Sequence, residues 1–184
     1  MDIETANTLD RAAFVRTFGG IFEHSPWVAE RAFGAHPFAS FAQLHEAMVA
    51  AVLAASRDKQ IALLRAHPDL AGKEARSGTM TDSSVVEQAS AGLDHLAKAE
   101  VALLAERNAA YRGKHGFPFI IAVRHYTKEG ILHEFARRLD RDTEAELATN
   151  LEQISAITRM RLAALFAARE GEAASRSAAA AVAP

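Results

Sequence analysis

The chain has 184 residues, 49% of them hydrophobic, which is enough apolar material for one domain to bury a core. Its 21 basic and 23 acidic side chains give a formal net charge of −2 without a basic block, which argues against a nucleic-acid partner. Zero cysteines exclude disulfides, thiolate metal sites and thiol nucleophiles, and no segment approaches the roughly 18 uninterrupted apolar residues that a membrane span requires.

Apolar residues recur at intervals of three and four along most of the chain, which is the period of α-helices. Three such sets are Phe14, Phe18 and Ile21; Phe41, Leu44, Met48 and Val52; and Leu147, Leu151 and Ile154. We therefore predict an all-α fold, with a single compact multi-helix domain over residues 1–168. The small residues of 169–184 offer no large apolar anchor, so a flexible C-terminal tail is predicted there.

Helix boundaries and one exception to the helical period are also visible in the sequence. Thr143 and Glu146 match a capping box at the start of the last helix, and Gly113 is a predicted helix end. The β-branched run PFIIAVR, near residues 118–124, interrupts the helical pattern. Because a lone strand has no neighbouring strand to bond with, we predict an extended segment packed among helices. The backbone donors and acceptors of this segment then need other partners, such as a ligand.

His67 precedes Pro68, and the residue before a proline is driven out of the α region. The helix through Ile61 and Ala66 should therefore end with His67 just beyond its C-terminus, where the helix dipole favours an imidazolium. Two interpretations follow. His67 caps the last carbonyl groups, or it is a fixed acid/base that transfers a proton near neutral pH. Local sequence alone favours the cap, because such caps are common.

A polar stripe lies in the segment TDSSVVEQASAGL. With Asp82 or Thr81 as the helix cap, Ser84, Glu87 and Gln88 stand at i, i+3 and i+4 on one helix face. A hydroxyl, a carboxylate and an amide together offer donors and acceptors to one small polar ligand. The alternative is a solvated face, which polar stripes on helices usually are.

Arg161 lies on a late helix, one turn after Ile157 and one turn before Leu165, within the apolar face. A guanidinium among apolar neighbours needs an anion or carbonyl groups to bond, unless its long stem carries it to water. The histidines form no HxxxH or HxH pair and have no carboxylate cage, so no metal site is predicted. Nucleotide-binding and hydrolase fingerprints are absent as well.

Five motifs of the chain resemble, in order, those of the OHCU decarboxylase family, and together they span nearly the whole sequence from about Phe14 to Phe166. They are HSPWVAERA (His24 to Ala32), LLRAHPDLAGK (Leu63 to Lys73), SSVVEQASAGLDHL (Ser83 to Leu96), RNAAYRGKHGFPFIIAV (Arg107 to Val123) and MRLAALF (Met160 to Phe166). Family members commonly carry phenylalanine where this chain has His115.

The resemblance implies a substrate, 2-oxo-4-hydroxy-4-carboxy-5-ureidoimidazoline (OHCU), the last intermediate between urate and allantoin. It also implies an all-helical, cofactor-free enzyme that is usually a homodimer. The substrate carboxylate lies beside a ring C=N bond, so the substrate is its own electron sink. The protein must add orientation, a dry site and a proton delivered to one face.

The resemblance further implies which residues act. His67 is expected to be the catalytic acid/base, with Glu87 and Arg161 as the other catalytic residues. The expected substrate-binding residues are Pro68, Ser84, Val85, Val86, Glu87, Gln88, Phe119, Ile120, Ile121, Ala122, Val123 and Arg161.

Three other function classes remain open at this point. One is a non-catalytic helical module that binds a small ligand, and another is a ureide hydrolase in which His67 and Glu87 activate water. A purely structural interaction protein would leave the polar stripe and Arg161 without a common target. The termini show neither a signal-peptide pattern nor an SKL-type peroxisomal signal, so a cytoplasmic location is predicted.

Overall fold

The computed structural model describes the backbone of residues 1–182 and the side chains of residues 1–168 except Arg76. This part of the chain is all-α, as predicted, with ten α-helices, two short 3-10 helices at Phe33–Ala35 and Val123–His125, and no strand. The α-helices are α1 (Ile3–Asn7), α2 (Arg11–Phe18), α3 (Trp27–Ala32), α4 (Phe41–Leu53), α5 (Arg57–Arg65), α6 (Lys73–Ser77), α7 (Asp82–Ser90), α8 (Lys98–His115), α9 (Lys128–Leu139) and α10 (Thr143–Val182).

Backbone contacts group the chain into two compact units. The first unit consists of Met1–Ala55 with Ile157–Pro184, and the second consists of Ser56–Ala156. Helices α1 to α4 belong to the first unit and α5 to α9 to the second, while α10 contributes residues to both. The single domain over 1–168 and the flexible tail over 169–184 stay predictions, because the side chains from residue 169 onward lie outside the described residues.

The first unit is built around an aromatic core. Phe14 and Phe18 of α2 are fully buried, with ring centroids 4.6 Å apart, and the ring of Phe38 stacks on Phe14 at 5.9 Å. Leu44 and Met48 of α4 are also fully buried. The helical period predicted from these residues is therefore the period of buried contacts, as expected when apolar burial drives helix packing.

The second unit has its own aromatic core, into which the extended segment inserts. The ring of Phe119 stacks on Phe135 of α9 at 4.0 Å, and Tyr111 of α8 meets both rings edge-on at 5.5 and 5.9 Å. The predicted non-helical segment is confirmed from Pro118 to Ala122, and a 3-10 helix begins at Val123.

Two predicted helix boundaries are wrong. Helix α8 continues past Gly113 to His115 and ends at Gly116, the glycine with left-handed φ of 78° that this kind of stop requires. Thr143 and Glu146 do not form a capping box. The Asp142 carboxylate accepts from the amide of the third helical residue at 2.8 Å, and the carboxylate of Glu146 is fully buried among other partners.

Candidate functional site

His67 lies just beyond the end of α5, where the sequence places it. The helix closes at Ala66, and the His67 side chain is only 5% exposed. Its Nδ1 lies 3.0 Å from the carbonyl oxygen of Leu63. Because a carbonyl oxygen only accepts, Nδ1 carries a proton, and Nε2 is the nitrogen left for proton transfer to or from a ligand. The capping and the acid/base interpretations thus use different nitrogens of one ring.

The loop that follows, His67 to Gly72, is bound on one side by Gln88 of α7. The Gln88 side-chain oxygen accepts from the amide of Ala71 at 2.8 Å, and its nitrogen donates to the carbonyl of Asp69 at 3.3 Å. Both ends of the amide are therefore used to fix the backbone next to His67.

Helix α8 binds the same loop from another direction. The side-chain nitrogen of Asn108 donates to the carbonyl of Leu70 at 3.0 Å, and Arg112 Nε contacts both Asp69 carboxylate oxygens at 2.8 and 3.1 Å. A Cβ on Gly72 would lie 2.6 Å from the Cβ of Asp69, so only glycine fits this turn. Asn108 and Arg112 were not predicted as site residues, although both lie in the motif RNAAYRGK.

Helix α7 has its polar face inside and an apolar pair outside. Ser84, Glu87 and Gln88 are 4%, 8% and 7% exposed, whereas Val85 and Val86 are 44% and 55% exposed. Thr81 is the N-cap of this helix, and its hydroxyl accepts from the amide of Ser84. A solvated stripe is therefore wrong for this face. Burying a hydroxyl, a carboxylate and an amide together is costly unless their hydrogen bonds are satisfied, which is typical of a functional or tightly bonded site.

The extended segment adds buried backbone to the same unit. The amide of Ile120 donates to Asn150 Oδ1 at 3.1 Å, and the amide of Ala122 donates to Gln153 Oε1 at 2.9 Å. These two bonds fix the amides on both sides of Ile121. The 3-10 helix that continues the segment from Val123 contacts α7, which brings the segment beside the helix that carries Ser84 and Glu87.

Arg161 lies in the first unit and is ion-paired. Its Nη1 donates to Glu23 Oε2 at 2.7 Å, and the two side chains are 8% and 2% exposed. The guanidinium therefore does not reach water along its stem. Glu23 was not predicted to be its partner, because the two residues are separated by 138 positions and only the fold brings them together.

Within the described residues, no cluster of three histidine, cysteine, aspartate or glutamate side chains could hold a metal ion. None of the helices described there combines the length and the apolar content needed to cross a membrane.

A family model for OHCU decarboxylase matches residues 7–163 of the chain. The chain belongs to the OHCU decarboxylase family. It is 43% identical to the 2-oxo-4-hydroxy-4-carboxy-5-ureidoimidazoline decarboxylase of Haloferax volcanii, over 90% of this chain and 96% of that protein. A protein of the same name from Halalkalicoccus jeotgali is 40% identical over 93% of this chain and 95% of its own length.

Solved structures agree with this membership. The crystal structure of an (S)-allantoin synthase superposes on the chain with a TM-score of 0.73 and 32% identity, covering 90% of this chain and 54% of that one. The OHCU decarboxylase fold thus carries three predicted groups of residues in one unit: the His67 loop with Pro68, the buried face of α7, and the segment Phe119–Val123. The roles of these residues, and of Arg161 in the other unit, stay predictions.

Proposed function

We propose that this chain decarboxylates OHCU to (S)-allantoin in urate degradation and needs no cofactor. The observation that carries the proposal is a buried histidine, fixed through Nδ1 at a helix end, in the unit that also buries Ser84 and Glu87 on one helix face. Membership of the OHCU decarboxylase family supplies the substrate.

The proposed reaction proceeds in two balanced steps. The bond between the ring carbon and the carboxylate breaks, its electron pair moves into the neighbouring C=N bond, and carbon dioxide leaves. The former imine nitrogen takes up a proton. The neighbouring ring carbon, which bears the ureido group, is then protonated on one face while the hydroxyl group on the decarboxylated carbon loses its proton and becomes a ring carbonyl, which yields allantoin with a net uptake of one proton. Since the substrate accepts the electron pair itself, the protein has to orient it, exclude water and deliver the proton to one face.

His67 is proposed as the acid that supplies this proton. Its Nδ1 proton is held by the Leu63 carbonyl, so Nε2 is the nitrogen that exchanges a proton with the substrate. Pro68 would form a wall against the substrate ring, and the bonds from Gln88 to the following loop would keep the imidazole in place. A proton delivered from one fixed side accounts for a single enantiomer.

Glu87 and Ser84 are proposed to bind the polar edge of the substrate. A buried carboxylate is a strong acceptor for the N–H groups of a ureido substituent, and the hydroxyl can donate or accept. The backbone of Phe119, Ile121 and Val123 is proposed to complete the contact, because the amides of Ile120 and Ala122 are bonded to α10.

Several finer assignments belong to the same proposal. Arg161 is proposed to bond a carbonyl or the carboxylate of the substrate, and Val85 and Val86 to contribute to substrate binding. The chain is proposed to act in the cytoplasm as a homodimer. Light scattering of the purified protein tests the dimer, and cell fractionation tests the location.

The decisive experiment supplies freshly generated OHCU and follows allantoin by circular dichroism together with the release of carbon dioxide. We expect an enantiomeric excess of (S)-allantoin above the uncatalysed background. The activity should be unchanged after dialysis against a chelator. Release of ammonia in place of carbon dioxide would favour a ureide hydrolase. Saturable binding with the substrate left unchanged would favour a binding module.

A further inference from the structure

Four buried polar side chains form a connected cluster in the second unit, and we call Tyr111, Arg138, Glu146 and Asn150 the Arg138 cluster. Arg138 is 1% exposed and the other three are 0% exposed. Arg138 Nε donates to Glu146 Oε2 at 2.8 Å, and the Tyr111 hydroxyl donates to the same oxygen. Burial, together with the bond to Glu146, raises the pKa of Tyr111 above its usual range, so the hydroxyl remains a donor.

The cluster binds the extended segment through backbone groups of Pro118 and Ile120. Asn150 Oδ1 accepts from the amide of Ile120 at 3.1 Å and from Arg138 Nη2 at 2.7 Å. Asn150 Nδ2 donates to the carbonyl of Pro118 at 3.1 Å and to the Tyr111 oxygen at 3.3 Å. Arg138 Nη1 donates to the carbonyl of Ile120 at 3.0 Å. Asn150 thereby uses its full set of donors and acceptors.

One turn further along α10, Gln153 repeats this contact. Its side-chain oxygen accepts from the amide of Ala122 at 2.9 Å. Three helical residues rise about 4.5 Å and two extended residues about 6.5 Å, so side chains at i and i+3 can reach amides at j and j+2. The helix therefore binds every second amide of the segment and leaves Ile121 between two fixed points.

We infer that Asn150 and Gln153 are positioning residues for substrate binding, because they fix the amides on both sides of Ile121 and so set where its backbone lies. The inference rests on the proposed function, in which the Ile121 backbone contacts the substrate. Neither side chain needs to touch the substrate. Both contacts use the side-chain amide oxygen of the α10 residue. Complete burial is not needed for such a contact, since Gln153 is half-buried and still accepts from the segment.

Two near-isosteric substitutions test the inference. Asn150→Asp keeps the acceptor for Ile120 but loses the donors to Pro118 and Tyr111, and Gln153→Met loses the acceptor for Ala122. Thr149→Val is the matched control on the same helix, since it removes a hydrogen bond from Arg141 that does not involve the segment. Steady-state turnover of OHCU is measured well below each melting temperature, together with the pH profile of kcat.

We expect KM for OHCU to rise about tenfold in both variants, because each substitution should weaken substrate binding by about the free energy of one hydrogen bond. The pH profile of kcat should stay that of the wild type. The control should keep the wild-type KM. Folded variants with wild-type KM overturn the inference, and if Asn150→Asp does not fold, Gln153→Met alone decides. A wild-type protein that fails to turn over OHCU instead overturns the proposed function, and with it this role.

Discussion

The second unit contains two buried histidines, His67 and His115, that are almost equally shielded from solvent, at 5% and 6% exposure. Both make a hydrogen bond through Nδ1, His67 to a backbone carbonyl at 3.0 Å and His115 to the hydroxyl of Thr143 at 2.9 Å. Their surroundings differ. His67 precedes a loop bonded to a buried polar helix face, whereas the His115 ring lies 4.4 Å from Tyr111 and stacks on Phe117 at 5.9 Å.

Burial alone therefore does not identify an acid/base, whereas the chemical nature of the Nδ1 partner distinguishes the two histidines. A carbonyl can only accept, so it fixes which nitrogen of His67 carries the proton. A hydroxyl can donate or accept, so Thr143 does not fix the tautomer of His115. Burial lowers the pKa of His115, as expected for a ring packed among aromatic side chains. His115 behaves as a core residue with a polar edge.

Replacing His67 with asparagine has the largest expected effect on turnover. We expect kcat for OHCU to fall on the order of a hundredfold or more while the melting temperature stays close to that of the wild type, because only the proton donor is lost. His95→Asn is the matched control, since that side chain is 87% exposed in the same unit. Near-normal turnover in the His67 variant would sink the assignment.

Replacing Glu87 with glutamine asks whether the charge on the α7 face contributes to the site around His67. We expect KM to rise about tenfold and kcat to fall, because an amide is a weaker acceptor for the ureido N–H groups than a carboxylate. Steady-state kinetics with OHCU measure both effects, and Glu106→Gln on the exposed side of α8 is the control. A change in stability alone would make Glu87 a structural residue.

Replacing His115 with phenylalanine has the smallest expected effect on turnover, within about twofold, because the ring volume is nearly conserved. Stability should respond to pH instead. The folded pKa of His115 lies below its ordinary value of 6.5, so the unfolded chain binds more protons as the pH falls below that value. The stability that neutral His115 contributes is complete above pH 6.5 and is lost as the pH falls towards the folded pKa.

The measurement is the melting temperature of both proteins between pH 7 and pH 5, roughly the range in which an ordinary histidine takes up its proton. The wild type should lose more stability on acidification than His115→Phe. If the melting temperatures of the two proteins change equally with pH, His115 is not the residue responsible for the loss of stability.

Local signals predicted much of this arrangement. The proline after His67 fixes the helix exit, the i, i+3, i+4 spacing places Ser84, Glu87 and Gln88 on one face, and the β-branched run marks the extended segment. Each of these depends on neighbours a few residues apart, which is the range over which sequence pattern determines backbone conformation.

The rest depends on contacts between distant residues. Glu146 matches a capping box, but it is bonded to Arg138 and Tyr111 in the core, and the cap passes to Asp142. Pairing Glu146 with the buried guanidinium of Arg138 is worth more than using it as a cap. An unpaired buried charge destabilises the fold by several kcal/mol, whereas a helix cap contributes about 1 kcal/mol. No pattern within α10 reveals that choice, since Arg138 belongs to another helix.

The side chain of Gln88 also links the dynamics of the His67 loop to those of helix α7. Its bond to the amide of Ala71 means that this loop hydrogen is held by α7 rather than by the loop itself. Exchange of the Ala71 hydrogen with deuterated solvent would then report the opening of α7, and protection would fall throughout the His67 loop whenever that helix moves away. A partly folded second unit with α5 intact would keep the Nδ1 bond of His67 to Leu63 but lose the bonds that fix the loop after it.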